Sequence, residues 1–70
     1  MMRYAILIEK TPNNYSAYPP DLPECAATGA TLAEVQQQIK EAIEFHLEKL
    51  REEGLPIPQP TTLCEYVEAR

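Results

Sequence analysis

Few side chains in this chain of 70 residues could carry out nucleophilic chemistry. His46 is the only histidine, and the two cysteines, Cys25 and Cys64, do not form a Cys-x-x-Cys pair. Nucleophilic catalysis needs a base beside the nucleophile and a group that orients the base. Nothing in the spacing pairs His46 with either cysteine. We therefore predict free thiols in a reducing compartment and no catalytic residue.

A pair of carboxylates, Asp21 and Glu24, flanks Leu22 and Pro23 in a proline-rich loop. Paired carboxylates can serve in general acid–base catalysis or bind a metal, but two-metal hydrolysis needs several of them to converge. Two other interpretations stay open: Asp21 binds the backbone of its own turn, or the loop contacts a protein. An enzyme or metal site formed by Asp21, Glu24 and His46 is the competing hypothesis. We predict no enzyme, metal or cofactor.

The charge balance bears on the kind of partner. Eleven acidic and six basic residues give a formal net charge of −5, and the basic residues form no stripe. Direct DNA or RNA binding is therefore not expected, whereas an acidic surface attracts a basic protein. Two glycines leave no phosphate-binding loop. The apolar run at residues 5–8 is too short for a signal peptide or a membrane span, so we predict a cytoplasmic protein without membrane contact.

One long helix is predicted to position His46. Thr31 is a natural N-cap, Glu34 completes a capping box, and Gly54 is a C-terminal stop, which predicts a helix over residues 32–53. At about 100° per residue, one apolar stripe forms, with Ala42 and His46 at its edge. The stripe contains Leu32, Val35, Ile39, Ile43, Leu47 and Leu50.

Short β-rich segments surround the helix. Strands are predicted at residues 4–8, 15–18 and 25–28, with a hairpin turn at residues 11–14 and a fourth strand at residues 61–67 after the prolines of residues 55–60. The prediction is a single α+β domain spanning residues 1–70. Its order is β-β-β-α-β, with a mostly antiparallel sheet of three to four strands and the helix on one face.

Several apolar side chains lack an obvious place in that arrangement. The first strand is apolar on both faces and one helix covers only one, so we predict a homo-oligomer, a dimer or a tetramer.

Phe45 lies about 220° from Leu32 around the helix. Either residues 55–60 fold back over it or another chain contacts it. Tyr15 and Tyr18 belong to the core, to the rim or to an interface. The predicted partner-contact residues are Tyr15, Tyr18, Asp21, Glu24 and Phe45.

Several short motifs are spread over almost the whole chain. They are Tyr4-Ala5-Ile6-Leu7-Ile8-Glu9, Tyr15-Ser16-Ala17-Tyr18, Pro20-Asp21-Leu22-Pro23 before Cys25, Gly29-Ala30-Thr31-Leu32-Ala33-Glu34, Glu41-Ala42-Ile43 and Gly54-Leu55-Pro56-Ile57-Pro58. Taken together, these motifs resemble those of the HicB-like antitoxin family of type II toxin–antitoxin systems.

The resemblance implies a partly formed RNase H-like fold without nuclease activity. It also implies that the chain binds a small basic mRNA-cleaving toxin of the HicA type and covers its active site. Two features depart from the family. Glu24 stands where glycine is usual, which implies strain if φ is positive there. The chain stops at Arg70, where many members continue into a DNA-binding segment, so operator binding is not expected. The alternative is a stand-alone oligomeric structural or small-ligand-binding domain with no toxin partner.

Overall fold

Three short antiparallel strands and one long helix make up the regular structure of residues 2–70. The computed structural model describes residues 2–70; Met1, the first residue of the predicted domain, lies outside them. The elements are β1 (Leu7–Lys10), β2 (Tyr15–Tyr18), β3 (Ala27–Gly29) and α1 (Leu32–Glu52), and the sheet order is β1-β2-β3. This arrangement confirms the predicted α+β fold, with three strands followed by a helix.

The β1–β2 hairpin forms where the turn residues predicted it. Its register pairs Leu7 with Tyr18 and Lys10 with Tyr15. The backbone N–H of Thr11 donates to the Asn14 carbonyl at 2.8 Å, and the Thr11 hydroxyl accepts from the Asn14 backbone N–H at 3.0 Å. A short polar side chain that binds nearby backbone groups stabilises a tight turn without help from distant residues.

The first strand begins three residues later than predicted, at Leu7 rather than residue 4. Continuing the β1–β2 register would place Ile6 opposite Pro19 and Ala5 opposite Pro20. Proline has no N–H to donate, so the ladder cannot extend past Leu7. The predicted alternation of faces still holds, because Tyr4, Ile6 and Ile8 pack against the core while Leu7 is 40% exposed.

Both ends of α1 agree with the sequence signals. The Thr31 hydroxyl accepts from the Glu34 backbone N–H at 3.1 Å, and the Glu34 carboxylate accepts from the backbone N–H of Ala30 at 3.2 Å. At the other end Gly54 takes a positive φ of 69°, which glycine adopts without the steric cost of a Cβ. Local capping chemistry therefore determines where the helix begins and ends.

The core lies between the helix and the inner face of the sheet. It consists of Ala17, Leu22, Cys25, Val35, Ile39 and Leu47, each less than 9% exposed. Gly29 allows β3 to approach the first turn of α1, because a Cβ there would lie 2.7 Å from the Val35 nitrogen. The loop after β2 contributes Leu22, which is fully buried.

The fourth predicted strand, residues 61–67, does not form. Among the described residues, none after the helix belongs to a strand, so the observed order is β-β-β-α. In an extended chain Glu65 would lie on the same side as Leu63 and Val67, which interrupts an apolar face. No strand pairs with this segment, and its large apolar side chains, Leu63, Tyr66 and Val67, remain almost fully exposed.

Over residues 2–70, no helix is both long enough and apolar enough to cross a membrane.

Candidate protein-binding site

The outer face of α1 combines negative charge with an exposed aromatic ring. At about 100° per residue, Phe45 and the carboxylates of this face lie opposite the apolar stripe. All of these side chains are exposed, and Phe45 is 72% exposed. We call this surface the acidic face; it consists of Glu34, Glu41, Phe45, Glu48 and Glu52.

The environment of Phe45 suits contact with a protein. The ring borders an open depression of about 290 Å³ together with Glu48, Lys49 and Glu52. Lys49 is the basic residue of this depression, so carboxylates outnumber cations around the ring. An exposed large aromatic with a charged rim is typical of interface anchors. This arrangement can bind a basic surface that offers an apolar pocket for the ring.

One interpretation of Phe45 is wrong: residues 55–60 do not fold back over it. That segment turns towards the N-terminal segment, where the Tyr4 hydroxyl donates to the Pro58 carbonyl. Ile57 packs against the core instead. The proline-rich segment therefore covers another side of the molecule and leaves Phe45 open to solvent.

Asp21 is engaged inside the chain. Its carboxylate accepts hydrogen bonds from the backbone N–H groups of Thr61 and Thr62, both at 2.9 Å, and from their hydroxyls at 3.2 and 2.7 Å. These bonds, the backbone bond from Thr62 first, lower the pKa of Asp21 below its ordinary value of 3.8. Asp21 thus ties its loop to a segment 40 residues away in the sequence rather than to its own turn.

The loop carboxylate Glu24 pairs with the single histidine. Glu24 Oε1 lies 2.9 Å from His46 Nε2, which links the loop to α1. The structure therefore brings together Glu24 and His46, while Asp21 binds the C-terminal segment. Among residues 2–70, no three His, Cys, Asp or Glu side chains converge as a metal site would require. Positive φ occurs only at Gly54 in the described chain, so Glu24 carries no such strain.

The two thiols are both free and occupy contrasting environments. Cys25 is buried and exposed Cys64 lies in the C-terminal segment. Burial raises the pKa of the Cys25 thiol, and the nearby Glu24 carboxylate raises it further. Cys25 is therefore an inert part of the core, as a protonated buried thiol is a poor nucleophile.

The two hairpin tyrosines differ in accessibility. Tyr15 is partly buried and packs against the core, whereas Tyr18 is 39% exposed and pairs across the strands with Leu7. Tyr18 and Leu7 share the sheet face away from the helix, since directly paired residues point to the same side. Tyr18, Glu24 and Phe45 are thus the predicted contact residues whose side chains are exposed.

One exposed apolar group was missed as a contact candidate. Leu63, Tyr66 and Val67 are 87%, 95% and 88% exposed. Their apolar character was visible in the sequence, where they were assigned to the fourth predicted strand, residues 61–67. A test of whether the strand had an available neighbour would have identified them as a surface.

Comparison of the sequence with known proteins points to one family. The sequence model described as "HicB_like antitoxin of bacterial toxin-antitoxin system" matches residues 4–70. A Haemophilus phage HP1 protein, described as an uncharacterized 14.9 kDa protein of the rep-hol intergenic region, is 38% identical over 66 residues. That match covers 94% of this chain and 50% of the phage protein, so the chain spans about half the length of that relative.

Two relatives carry the name UPF0150 protein. The one from Synechocystis is 40% identical over 80% of this chain and 72% of its own length. The one from Archaeoglobus fulgidus is 42% identical over 67% of this chain and 70% of its own length. No solved structure shows significant similarity to the chain. The match over residues 4–70 settles the family: the chain belongs to the HicB-like antitoxins of bacterial toxin–antitoxin systems.

Proposed function

We propose that this chain is a non-enzymatic antitoxin that neutralises a small basic mRNA-cleaving toxin of the HicA type by covering its active site. Family membership supports the antitoxin role in general. The observation that carries the finer proposal is the acidic face of α1, with Phe45 exposed among its carboxylates. The complex would act in the cytoplasm, where mRNA is the toxin's substrate.

The acidic face has the charge opposite to that of the groups with which an RNA-cleaving protein binds its substrate. Such a protein binds RNA largely through basic groups that contact phosphates. The carboxylates of the acidic face extend along about 27 Å of helix, from Glu34 to Glu52, at 1.5 Å per residue. A negative surface of this length would compete with RNA and would steer association with a basic partner. Phe45 would then provide the apolar anchor.

Rescue of toxicity tests the proposal directly. The gene for a small basic protein next to this one would be expressed alone and with this chain, and growth and complex formation would be measured. We expect rescue by the natural sequence and a loss of affinity of about thirtyfold or more for Phe45→Ala, since interface aromatics contribute roughly 2 kcal/mol or more. Leu32→Ala, at another exposed apolar residue of α1, is the matched control and should bind normally.

A combined Glu41→Gln and Glu48→Gln variant separates charge from packing. We expect slower association and a weaker salt dependence, because the charges steer the encounter. Glu9→Gln combined with Glu68→Gln, at two exposed carboxylates outside α1, controls for the same change in total charge. If the natural chain neither binds the neighbouring basic protein nor restores growth, the proposed function is refuted.

We also propose that the chain self-associates, as its two-faced first strand predicts. Leu7 and Tyr18 leave apolar surface exposed on the outer face of the sheet. The partial RNase H-like arrangement remains a prediction. A stand-alone oligomeric domain that binds a small ligand is the second candidate, favoured by one observation: an open cleft of about 440 Å³ between residues 2–6 and α1. Toxin binding with full rescue would exclude it as the main role.

A further inference from the structure

The C-terminal tail, residues 63–70, is anchored at its root and unpartnered beyond it. The four hydrogen bonds from Thr61 and Thr62 to Asp21 fix where the tail leaves the body of the molecule. Beyond that anchor, Leu63, Tyr66 and Val67 are each at least 87% exposed. Three large apolar side chains so close together in sequence form the kind of surface that binds a partner.

The same chain also carries an open apolar cleft. It lies between residues 2–6 and α1, and its lining is mostly the side chains of Met2, Tyr4, Ile6, Ile39, Ile43 and Leu47. Lys40 and Glu44 also line it. The N-terminal wall is not paired with β2, because the prolines after Tyr18 end the ladder. The cleft is therefore bounded by a segment whose backbone can still accept a neighbour.

Tail and cleft agree in length and in apolar character. The extended chain from Leu63 to Val67 spans about 13 Å, at about 3.3 Å for each of its four steps. Along α1 the distance from Ile39 to Leu47 is about 12 Å. The tail carries two side-chain carboxylates and one cation, Arg70, whereas the charges that line the cleft, Lys40 and Glu44, balance each other. The cleft therefore offers an apolar contact of matching length without a net charge that repels the tail.

The tail does not fill the cleft of its own chain. Its first residues lie beside residues 3–5, where Leu63 and Cys64 border a separate depression with Arg3. Tyr66 and Val67 remain exposed beyond it. A second copy, however, offers one cleft and one tail, so a two-fold exchange would fill both clefts with the same contact.

We propose that the tail of one copy docks in the cleft between residues 2–6 and α1 of a second copy, and that the second tail docks reciprocally. The proposal rests on the self-association proposed above and adds a contact that is separate from the outer sheet face of Leu7 and Tyr18. It does not involve the acidic face, so each copy in the dimer keeps Phe45 available for a toxin.

The exposed Cys64 makes the exchange directly measurable. One copy would carry Lys40→Cys and Cys64→Ser, the other would keep the natural Cys64, and each would carry a tag of a different mass. After the two are mixed and oxidised, we expect a disulfide-linked product that contains both tags. The matched control places the cysteine on the acidic face, as Glu48→Cys with Cys64→Ser, and should give far less of that product. Equal cross-linking at both positions would overturn the proposal.

Sedimentation equilibrium of the full chain separates this contact from self-association in general. Leu63→Ser combined with Val67→Ser should raise the dissociation constant of the dimer by about tenfold or more. Phe45→Ser removes an exposed apolar residue elsewhere and should leave it unchanged. A dimer that persists in the tail variant overturns the tail contact alone. A natural chain that stays monomeric at high micromolar concentration overturns self-association as well, and toxin rescue remains a separate measurement.

Discussion

Replacing Gly29 by alanine is expected to destabilise the fold through one backbone contact. The added Cβ would lie 2.7 Å from the Val35 nitrogen, 3.0 Å from the Val35 Cα and 3.1 Å from the Glu34 carbonyl carbon. Ordinary contacts begin at 3.4 Å, so the closest approach is too short by about 0.7 Å. All three atoms belong to the backbone of the first turn of α1, which cannot move without disturbing the helix start.

The magnitude follows from two opposing terms. Overpacking of this kind costs about 1–3 kcal/mol. Alanine also restricts the unfolded chain more than glycine does, which offsets about 0.4–1 kcal/mol. We expect a net loss of roughly 1–2 kcal/mol in the free energy of unfolding. For a domain of this size that loss lowers Tm by about 4–16 °C. Urea and thermal unfolding followed by circular dichroism would measure it.

Gly54 provides the matched control, because glycine is favoured there by the backbone angle φ and not by a close contact. A Cβ at Gly54 meets nothing within 4 Å, but φ is +69° there. Asparagine tolerates that conformation better than alanine does. Gly54→Asn should therefore be milder than Gly54→Ala, whereas Gly29→Asn should be at least as harmful as Gly29→Ala. Wild-type stability for Gly29→Ala, or rescue by asparagine at that position, would refute the close-approach argument.

Three further predictions concern the core, the anchor of the tail and the thiols. Leu22→Ala removes a fully buried side chain and should lower the free energy of unfolding by about 2–5 kcal/mol, measured by urea denaturation. Because the pKa of Asp21 is lowered on folding, the hydrogen bonds that it accepts from Thr61 and Thr62 are retained above pH 3.8 and lost as pH falls through the folded pKa. Amide exchange at Thr61 should therefore lose protection only at acidic pH, and a loss already near neutrality would contradict this. A thiol reagent should modify Cys64 rapidly and Cys25 only after denaturation; equal rates would contradict the burial of Cys25.

Features determined by neighbouring residues could be predicted well from the sequence. The turn of the hairpin depends on Thr11 and Asn14, and the helix ends depend on Thr31, Glu34 and Gly54. In each case the hydrogen bond or the backbone angle joins residues only a few positions apart. Such interactions act on the chain before any tertiary contact forms, so composition and spacing are enough to identify them.

The candidate site was predicted only in part. Its aromatic member, Phe45, was recognised as lying off the apolar stripe, since the helical period places it there. The sequence left open whether residues 55–60 cover this ring. The hydrogen bond from the Tyr4 hydroxyl to the Pro58 carbonyl directs that segment away from Phe45. Asp21 was predicted as a contact residue, with a bond to the backbone of its own turn as the alternative. Its carboxylate instead binds Thr61, which lies 40 residues away in the sequence.

The sequence by itself determined the helix, the hairpin, the apolar stripe that faces the sheet and the acidic face opposite to it. These follow from periodicity and capping, which are properties of consecutive residues. Only the tertiary structure decided that β1 stops at Leu7, that residues 61–67 form no strand and that Leu63, Tyr66 and Val67 stay exposed. A strand exists only where a neighbour supplies hydrogen bonds, and the prolines opposite residues 5 and 6 withhold them.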